Sequence, residues 1–431
     1  MNLRAMLAGK WKWLYPGLGL KRWLLLLAVG VVVTSLSGAL LLLNKVASPS
    51  SADAPGHPLL TWVFPWMGPI LLGVLGLALV ATALLKFNQA LLSPFLAPGQ
   101  ESRVAELLYR HRQRDRGPRV VAIGGGTGLF SLLRGLKEHT AHITAIVTVA
   151  DDGGSSGRLR RELGVLPPGD FRNCLTALAD DEDLLTQLFQ YRFGQNAVDG
   201  HSFGNLFIAA MSGITGDFER ALEESSKVLA VRGRILPSTL EDVTLCADLQ
   251  GEAEALGSGR MVEGESQIPK AGLPIERVFL RPDRVRAYPG ALQAILAADL
   301  IIIGPGSLYT SVLPNLLVPE IVKAIHASRA IKVYVCNVAI QPGETDSYDV
   351  GAHVAALERH VGPGLFDWVL VNDRFDMPLP DHLPRDELVV LEPDVLRGYH
   401  LVAADLVNFT NPWRHDSRKL ATALMHLYGR V

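Results

Sequence analysis

The residue types that could perform chemistry lie mostly in glycine-rich turns, the first being Gly124-Gly125-Gly126-Thr127-Gly128. Glycines let the backbone approach a phosphate, and the N-terminus of a following helix offers unpaired N–H groups at the positive end of its dipole. The turn is not a GxGxxG fingerprint, because Leu129 stands where the third glycine would be, and it lacks the Lys of a Walker A motif. It predicts a site for an anion or a nucleotide phosphate, with a purely structural turn as the alternative.

A second turn of this kind follows the strongest strand pattern of the chain, IIIG, and contains Gly304, Gly306 and Ser307. Glycines followed by hydroxyl groups are typical of a loop that binds phosphate, and a helix cap is the alternative. Two such loops at one edge of a sheet predict a diphosphate, a nucleotide diphosphate conjugate, or two ligands side by side.

Carboxylates follow another apolar run, where Asp151 and Asp152 precede a Gly/Ser loop that includes Gly154 and Ser155. Two acids at the end of a strand suit a metal ion, a ribose or a base edge. Asp151 comes 23 residues after Gly128, close to where a ribose-binding acid often lies. An Asx-type turn with capping serines is the alternative.

Three further polar segments carry candidate ligand-binding residues. Asp170 and Asn173 follow a Pro-Pro-Gly turn at the start of a helix, and the alternative is that Asp170 only caps that helix. His201 lies in a glycine-flanked loop, where it is either a structural His or one that contacts phosphate or relays protons. The candidates in the three segments are Asp170, Asn173, His201, Gly204, Asn205, Asn337, Gly343 and Glu344.

The elements that position these turns are predicted to form an α/β domain over residues 119–431. Five short apolar runs end in polar turns, namely RVVAI, ITAIVTV, DLIII, KVYVC and WVLV. Buried runs of this length that alternate with helices predict a Rossmann-like, mostly parallel sheet with helices on both faces. Because ligands of such sheets bind at the carboxyl ends of the strands, we expect all five turns to meet in one crevice.

The segments between the strands predict helices and one irregular region. Residues 234–282 contain the apolar runs DVTLCADLQ and IERVFLRP, separated by a polar, glycine-rich stretch, which predicts a small antiparallel insertion. The clearest helical patterns cover residues 129–137, 184–192, 218–229, 290–298 and 313–327.

Two uncharged runs near the N-terminus predict a two-helix transmembrane hairpin. Each run is long enough, at ~1.5 Å rise per residue, to cross the ~30 Å hydrocarbon core of a bilayer. A cleaved signal peptide and two buried helices of a soluble core are the alternatives. The expected boundaries are helices over about 23–43 and 59–85, a membrane region over 1–100 and a basic linker over 101–118.

The two regions carry opposite charge, although 41 basic and 43 acidic residues nearly cancel over the whole chain. Residues 1–119 hold 13 Lys/Arg and 4 Asp/Glu, whereas residues 120–431 hold 28 and 39. Because Lys/Arg flank the two spans far more densely than the loop between them, we expect both termini and the globular domain to be cytoplasmic, at the inner (cytoplasmic) membrane. An acidic domain lacks a basic face for phosphate backbones, so we expect no nucleic-acid partner.

The sequence also excludes several common kinds of site. Its three cysteines, Cys174, Cys246 and Cys336, lack the spacing of a disulfide framework or a structural zinc site. No serine-hydrolase elbow, kinase motif set or HExxH motif occurs. No catalytic residue is therefore predicted.

Six of these segments together resemble the YvcK family of gluconeogenesis factors, which belongs to the wider 2-phospho-L-lactate transferase-like (CofD-like) group. In chain order they are GGGTG, VTVADDGGSSGRLR, PPGDFRNCL, GHSFGNLFI, GPGSLYTSVLPNLLVP and CNVAIQPGETDSY. The match covers roughly residues 119–431, and the N-terminal hairpin resembles that of membrane-anchored variants.

The resemblance implies a domain that binds a UDP-sugar such as UDP-N-acetylglucosamine, and a regulatory role linking carbon metabolism to cell-wall synthesis and cell shape. The glycine loops would then admit the diphosphate. Asp151, Asp152 and Asn337 would read ribose, base or metal, and His201 and Asn205 would orient the sugar or phosphate. Cell-wall synthesis proteins are the expected partners, and the resemblance leaves homo-oligomerisation open.

The transferase relatives imply an alternative, a magnesium-dependent transferase that acts on a nucleotide diphosphate conjugate. Their acids match Asp151 or Asp152, and Asp170, so that Asp151 and Asp170 would be the metal ligands and Mg²⁺ the cofactor. Whether the chain is an enzyme stays open at this point. A nicotinamide dehydrogenase is disfavoured because GxGxxG is absent.

Overall fold

The computed structural model describes residues 20–47, 58–92, 114–180, 183–194, 198, 200–250, 260–375, 388–391 and 398–431. The chain divides into two compact units, Met1–Tyr109 and Arg110–Val431. The loop between the two apolar runs and most of the predicted basic linker lie outside the described residues.

Two long apolar helices, α1 (Leu20–Ala47) and α2 (Pro58–Leu92), form the described part of the first unit. Each is long and apolar enough to cross a membrane and extends beyond the predicted span at both ends. The helices approach closely, since a Cβ on Gly76 would lie 2.8 Å from the backbone N of Thr34. Contact through glycine and hydroxyl residues is typical of helices that pack within a bilayer.

The described part of the second unit contains two separate sheets. Its strands are β1 (Val120–Gly124), β2 (Ile143–Val147), β3 (Arg234–Pro237), β4 (Thr244–Leu249), β5 (Arg260–Glu263), β6 (Ile275–Arg281), β7 (Leu300–Ile303), β8 (Ile331–Val335), β9 (Trp368–Asn372) and β10 (His400–Ala404). Seven strands pair in parallel in the order β10-β9-β8-β7-β1-β2-β3. The chain winds outward from β1 to β3 and then from β7 to β10, so the strand order reverses between β1 and β7. This doubly wound arrangement confirms the predicted Rossmann-like fold.

The five apolar runs predicted as strands are β1, β2, β7, β8 and β9. β1 and β7 are buried along their whole length, as continuous apolar runs predict. The sequence patterns missed the two edge strands of the sheet. β3 (RILP) has only two apolar residues before its proline, and β10 (HLVAA) has an apolar run of only four residues, two of them alanine, which favours strands weakly.

The antiparallel insertion is confirmed by a three-stranded sheet in the order β5-β4-β6. β4 and β6 correspond to the two apolar runs identified in the sequence. The predicted start of the insertion at residue 234 is wrong, because β3 pairs in parallel with β2 at the edge of the main sheet.

Helices surround the main sheet, and two of the predicted boundaries are wrong. The single helix expected over 313–327 is broken, since the chain bends by 73° between Leu308–Leu316 and Pro319–Ala327. Pro319 has no N–H with which to continue a helix. The Gly/Ser loop expected after Asp152 is instead the first turn of a helix that begins at Gly154.

The α-helices of the described part of the second unit are α3 (Gly126–Leu136), α4 (Gly154–Leu163), α5 (Gly169–Leu178), α6 (Asp183–Gln190), α7 (Phe203–Thr215), α8 (Phe218–Val228), α9 (Pro289–Ala297), α10 (Leu313–Leu316), α11 (Pro319–Ala327), α12 (Val350–Val361) and α13 (Ser417–Tyr428).

Candidate functional site

A cleft of about 510 Å³ opens at the carboxyl ends of β1, β7 and β8. It lies where the strand order reverses, which is the place where open α/β sheets bind ligands. The turns after these strands line it through residues 126–128, 305–307 and 337–342. The described turns after β2 and β9 do not line it, so the expectation that all five turns meet in one crevice is wrong. β9 lies farther from the reversal point. The β2 turn lies behind the first glycine loop, since a Cβ on Gly125 would lie 3.0 Å from the side chain of Thr148 and 3.4 Å from the Cβ of Ser311, which lines the cleft.

The first glycine loop leads directly into the N-terminus of α3. Gly126 has a φ of +62°, a left-handed conformation that favours glycine, and Gly125 at the N-cap position carries no side chain to cap the helix. Thr127 and Gly128, in the first turn of α3, line the cleft. The first turn of a helix has N–H groups without intrahelical partners, so this wall is suited to an anion.

The two glycine loops pack backbone against backbone. A Cβ on Gly128 would lie 2.5 Å from the carbonyl O of Pro305, and a Cβ on Gly306 would lie 3.2 Å from the carbonyl O of Gly125. The first distance is too short for a real Cβ, so only glycine at position 128 allows this contact. The expected juxtaposition of the two loops is therefore present, and the ligand that they bind stays a prediction.

Asn337 holds the second loop in place. Its Nδ2 donates to the carbonyl O of Gly306 at 2.9 Å, and its Oδ1 accepts from the N–H of Gly306 at 3.3 Å. Both ends of the amide are therefore engaged with backbone. In this geometry Asn337 positions the loop, whereas the resemblance implied that it reads a ribose, a base or a metal.

Glu344 is a buried carboxylate behind the second loop. It accepts hydrogen bonds from the Thr310 hydroxyl at 2.9 Å, the Tyr309 N–H at 3.3 Å and the Gln341 amide at 2.8 Å. Burial raises the pKa of Glu344 to about 7, and the hydrogen bonds from Thr310 and Tyr309 oppose that rise. Because Gln341 also donates to the Ser307 hydroxyl, Glu344 is linked directly to the cleft.

The C-terminal segment 411–415 forms a wall of the cleft that the sequence patterns missed. Arg414 is the one cation among the described lining residues, and Trp413, which also lines the cleft, is 44% exposed. None of these lining residues is Asp or Glu. A lining with a guanidinium and helix N–H groups, and with no carboxylate among its described residues, is suited to an anion, although the domain as a whole is acidic. No local pattern marks this segment as part of the site, because only the tertiary fold brings it to the glycine loops.

His415 lies in the same wall and is uncharged. Its Nε2 donates to the carbonyl O of Cys336 at 3.2 Å, since a carbonyl can only accept. Burial lowers the pKa of His415 to about 4, so the imidazole is neutral at physiological pH.

Asp170 lies on the other side of the first glycine loop. A Cβ on Gly125 would lie 2.6 Å from Oδ2 of Asp170 and 3.4 Å from the Cβ of Ser311, which lines the cleft, so Gly125 separates Asp170 from the cleft. Burial, and next the charge of Asp151, raises the pKa of Asp170 to about 6, against hydrogen bonding from the N–H of Gly126. Asp170 therefore supports the first loop.

The alternative in which Asp170 caps its own helix is wrong. The N-cap residue of α5 is Pro168, and Asp170 lies within the first turn. Asn173, predicted as its neighbour in the site, hydrogen-bonds to Asp170 and accepts from Arg172 at 2.8 Å.

Asp151 and Asp152 are engaged by nearby backbone groups. Asp151 accepts from the N–H of Gly153 at 2.9 Å, which is the Asx-type turn considered as its alternative, and Asp152 accepts from the N–H of Ser266 at 2.8 Å. Glu265, which the sequence patterns did not identify, interacts with both acids. Burial, and then the charge of Asp151, raises the pKa of Glu265 to about 8.

These carboxylates are the candidates for a metal site. Among the described residues, no group of three or more His, Cys, Asp or Glu is placed to hold a metal ion. Mg²⁺ is commonly held by one or two carboxylates together with substrate phosphates. Asp151 and Asp170, which repel each other electrostatically, fit that arrangement as a pair, and the metal assignment stays a prediction.

Ser155, His201 and Asn205 form a buried hydrogen-bonded chain between α4 and α7. Asn205 Nδ2 donates to the Ser155 hydroxyl at 3.0 Å, and that hydroxyl lies 2.8 Å from His201 Nδ1. None of the three lines the 510 Å³ cleft. Their role in orienting a sugar or phosphate stays a prediction.

The remaining candidate residues are glycines outside the cleft lining. Gly343 and Gly204 pack against backbone, since a Cβ would lie 2.2 Å from the Pro269 carbonyl O and 2.7 Å from the Phe189 carbonyl O, respectively. Close packing thus accounts for glycine at both positions. The candidates that do not line the cleft are Gly124, Gly125, Asp151, Asp152, Gly154, Ser155, Asp170, Asn173, His201, Gly204, Asn205, Gly304, Gly343 and Glu344.

The family model described as 2-phospho-L-lactate transferase CofD matches residues 120–407. This chain belongs to the CofD family. The matched region contains both glycine loops and the acids beside them, which confirms the resemblance drawn from the six sequence segments. It ends before Arg414, so the C-terminal wall of the cleft in this CofD-family protein lies beyond it.

Relatives of this CofD-family protein are named as gluconeogenesis factors. One from Nostoc sp. is 47% identical and spans 97% of this chain and 92% of its own length. The gluconeogenesis factor of Bacillus subtilis is 49% identical and spans 72% of this chain and 98% of its own length. A crystal structure of a UPF0052-family protein from Bacillus halodurans is 48% identical, with a TM-score of 0.67, and the match covers 72% of this chain and 99% of that one.

Proposed function

We propose that this protein binds a nucleotide diphosphate conjugate of the UDP-sugar type, such as UDP-N-acetylglucosamine, in the cleft at the strand reversal. One observation carries the proposal. Two glycine loops meet there backbone to backbone, and among the described residues the cleft is lined by a single Arg and by no carboxylate. An anion is therefore the favoured occupant of this cleft, although the domain as a whole is acidic.

The cleft offers separate surfaces for the parts of such a ligand. The N–H groups of Thr127 and Gly128 at the start of α3, the second loop and the Arg414 guanidinium would bind the diphosphate. Trp413 and the apolar residues between Asn337 and Gln341 would pack against the base or the sugar. A volume of about 510 Å³ falls within the usual range for small-molecule sites.

We further propose a regulatory rather than a catalytic role, in which ligand binding links carbon metabolism to cell-wall synthesis and cell shape. The described lining contains no carboxylate, and its His415 is neutral and bonded to backbone, so the cleft lacks an evident general base. The names of the relatives favour a link to carbon metabolism. The two apolar helices would hold the protein at the inner membrane, close to cell-wall synthesis proteins.

The alternative function is a magnesium-dependent transferase that acts on a nucleotide diphosphate conjugate. It is favoured by the carboxylates behind Gly125, where Asp151 and Asp170 would hold the metal together with the ligand phosphates. A bound Mg²⁺ would offset charge on the phosphate that leaves. The family model is itself described as that of a transferase, 2-phospho-L-lactate transferase.

Titration of the purified full chain in detergent micelles separates the two functions. UDP-N-acetylglucosamine, UDP-glucose, GDP and NAD would each be added with and without Mg²⁺, and the products analysed by chromatography. Binding of a UDP-sugar without turnover is the expected result. A product that requires Mg²⁺ would favour the transferase, and failure of all four ligands to bind would overturn both.

A further inference from the structure

A second cavity of about 480 Å³ lies beside the cleft, between α3, α5 and α6. We call it the basic groove, because Arg134, Lys137 and Arg414 line it. None of its described lining residues is Asp or Glu. Three cations without a carboxylate stand out in a domain that carries 28 Lys/Arg and 39 Asp/Glu over residues 120–431.

The basic groove shares a wall with the cleft. Thr127 and Arg414 line both cavities, so an occupant of the groove would lie next to the first glycine loop. Arg134 and Lys137 lie farther along α3 and line only the groove. The Lys137 ammonium donates to the carbonyl O of Ala179 at 2.8 Å, which fixes it at the groove wall.

Neutral donors complete the lining. The side chains of Thr186, Gln187 and Gln190 come from α6, and Thr176 comes from α5. Hydroxyl and amide groups beside a guanidinium and an ammonium are suited to the oxygen atoms of a small phosphate or carboxylate compound. Such oxygens gain charge-assisted hydrogen bonds, which are stronger than bonds between neutral groups.

We propose that the basic groove binds an anionic group, phosphate or carboxylate, beside the occupant of the cleft. The group belongs either to a second small molecule or to the far end of the molecule held in the cleft. The inference rests on the charges and lining of the groove and does not depend on which nucleotide the cleft accepts.

The test uses the full chain in detergent micelles and the variants Arg134→Gln and Lys137→Gln. Arg329→Gln is the matched control, because Arg329 is exposed and lies two residues before β8, at the amino end of that strand, whereas the cleft lies at the carboxyl ends. Inorganic phosphate and citrate would be titrated at constant ionic strength while the unfolding temperature is recorded, since a ligand of the folded state raises it. Affinity for UDP-N-acetylglucosamine and for UDP-glucuronate would be measured in parallel by calorimetry.

In the wild type, we expect phosphate or citrate to raise the unfolding temperature. Each groove variant should need about tenfold more anion for the same rise, because a hydrogen bond to a charged group contributes about that factor. Arg329→Gln should respond as the wild type does, and Arg134→Lys, which keeps the charge, should recover most of the response.

The nucleotide-sugars measured in parallel distinguish the two sources of the anion. A second molecule is indicated if the groove variants lose the response to phosphate or citrate but keep the affinity for both nucleotide-sugars. The far end of the cleft ligand is indicated if the groove variants lose affinity for UDP-glucuronate, whose sugar carries a carboxylate, but keep the affinity for UDP-N-acetylglucosamine, whose sugar is uncharged. The proposal is overturned if both variants match Arg329→Gln with every probe.

Discussion

Several of the candidate residues hold the loops around this cleft in place. Asn337 and Glu344 hold the second glycine loop and the turn after it, and Asp170 supports the first loop. Their types and spacing marked them in the sequence as site residues, but their roles depend on contacts with distant parts of the chain. A local pattern of residues cannot contain that information, which is also why Glu265 and Arg414 were missed.

Gly128 provides a direct test of the contact between the two loops. In Gly128→Ala the new Cβ would meet the Pro305 backbone, and overpacking of this kind typically costs about 1–3 kcal/mol. We expect a lower unfolding temperature and weaker UDP-N-acetylglucosamine binding. The control is Gly213→Ala in α7, where a Cβ would meet nothing within 4 Å. Equal stability of the two variants would show that the loops do not pack as described.

Glu344 predicts a specific pH dependence of stability. Its pKa is about 7 in the folded protein against an ordinary value of 4.5. A raised carboxyl pKa contributes stability that is fully present below pH 4.5 and is lost as the pH rises through about 7. Relative to Glu344→Gln, the wild type should therefore lose at most about 3 kcal/mol of unfolding free energy between these pH values. Urea unfolding at several pH values measures this difference, and a pH-independent difference would contradict it.

At the level of elements, the cleft depends on α3 and on the C-terminal segment that packs beside it. α3 begins at the first glycine loop and packs against α13, which directly follows the segment that contains Arg414. Buried strands were predictable because a parallel sheet covered on both faces requires continuous apolar runs. The edge strands β3 and β10 were not, because they are set by pairing and packing that leave only a weak local pattern. The break before Pro319 does have a local signal, which is the proline itself.

Gly135 tests the contact between these two helices. A Cβ there would lie 1.9 Å from the carbonyl O of Ser417, so Gly135→Ala must displace α13. We expect a lower unfolding temperature together with reduced affinity for UDP-N-acetylglucosamine, since Arg414 moves with α13. Gly429→Ala, at the end of α13, is the matched control, because the nearest atom to its Cβ would be 3.5 Å away. If Gly135→Ala bound UDP-N-acetylglucosamine with wild-type affinity, the position of α13 would not influence binding in the cleft.

For the whole molecule, the near-zero net charge is the sum of a basic N-terminal region and an acidic globular unit. The apolar helices and the excess of Lys/Arg belong to the N-terminal region, and the acidic excess belongs to the globular unit. The fold class and the hairpin could be predicted because both follow from composition and hydrophobic periodicity. The wall formed by residues 411–415 could not, since only the tertiary fold brings it to the glycine loops.

Cysteine labelling tests the proposed topology of the whole chain. The three native cysteines are buried and give little background. Ser51→Cys, in the loop between the helices, should react with a membrane-impermeant maleimide in intact spheroplasts. Arg329→Cys, in the globular unit, should react only after lysis, because positive flanks stay cytoplasmic. The reverse pattern would contradict the proposed orientation.

The central claim is that the cleft binds a nucleotide-sugar through its glycine loops and Arg414. Calorimetric titration of UDP-N-acetylglucosamine into the full chain tests it most directly, with Arg414→Gln compared with the control Arg329→Gln. Loss of a charge-assisted hydrogen bond predicts at least about tenfold weaker binding for Arg414→Gln, with Arg329→Gln unchanged. Absence of binding to the wild type, or equal affinity in both variants, would contradict the claim.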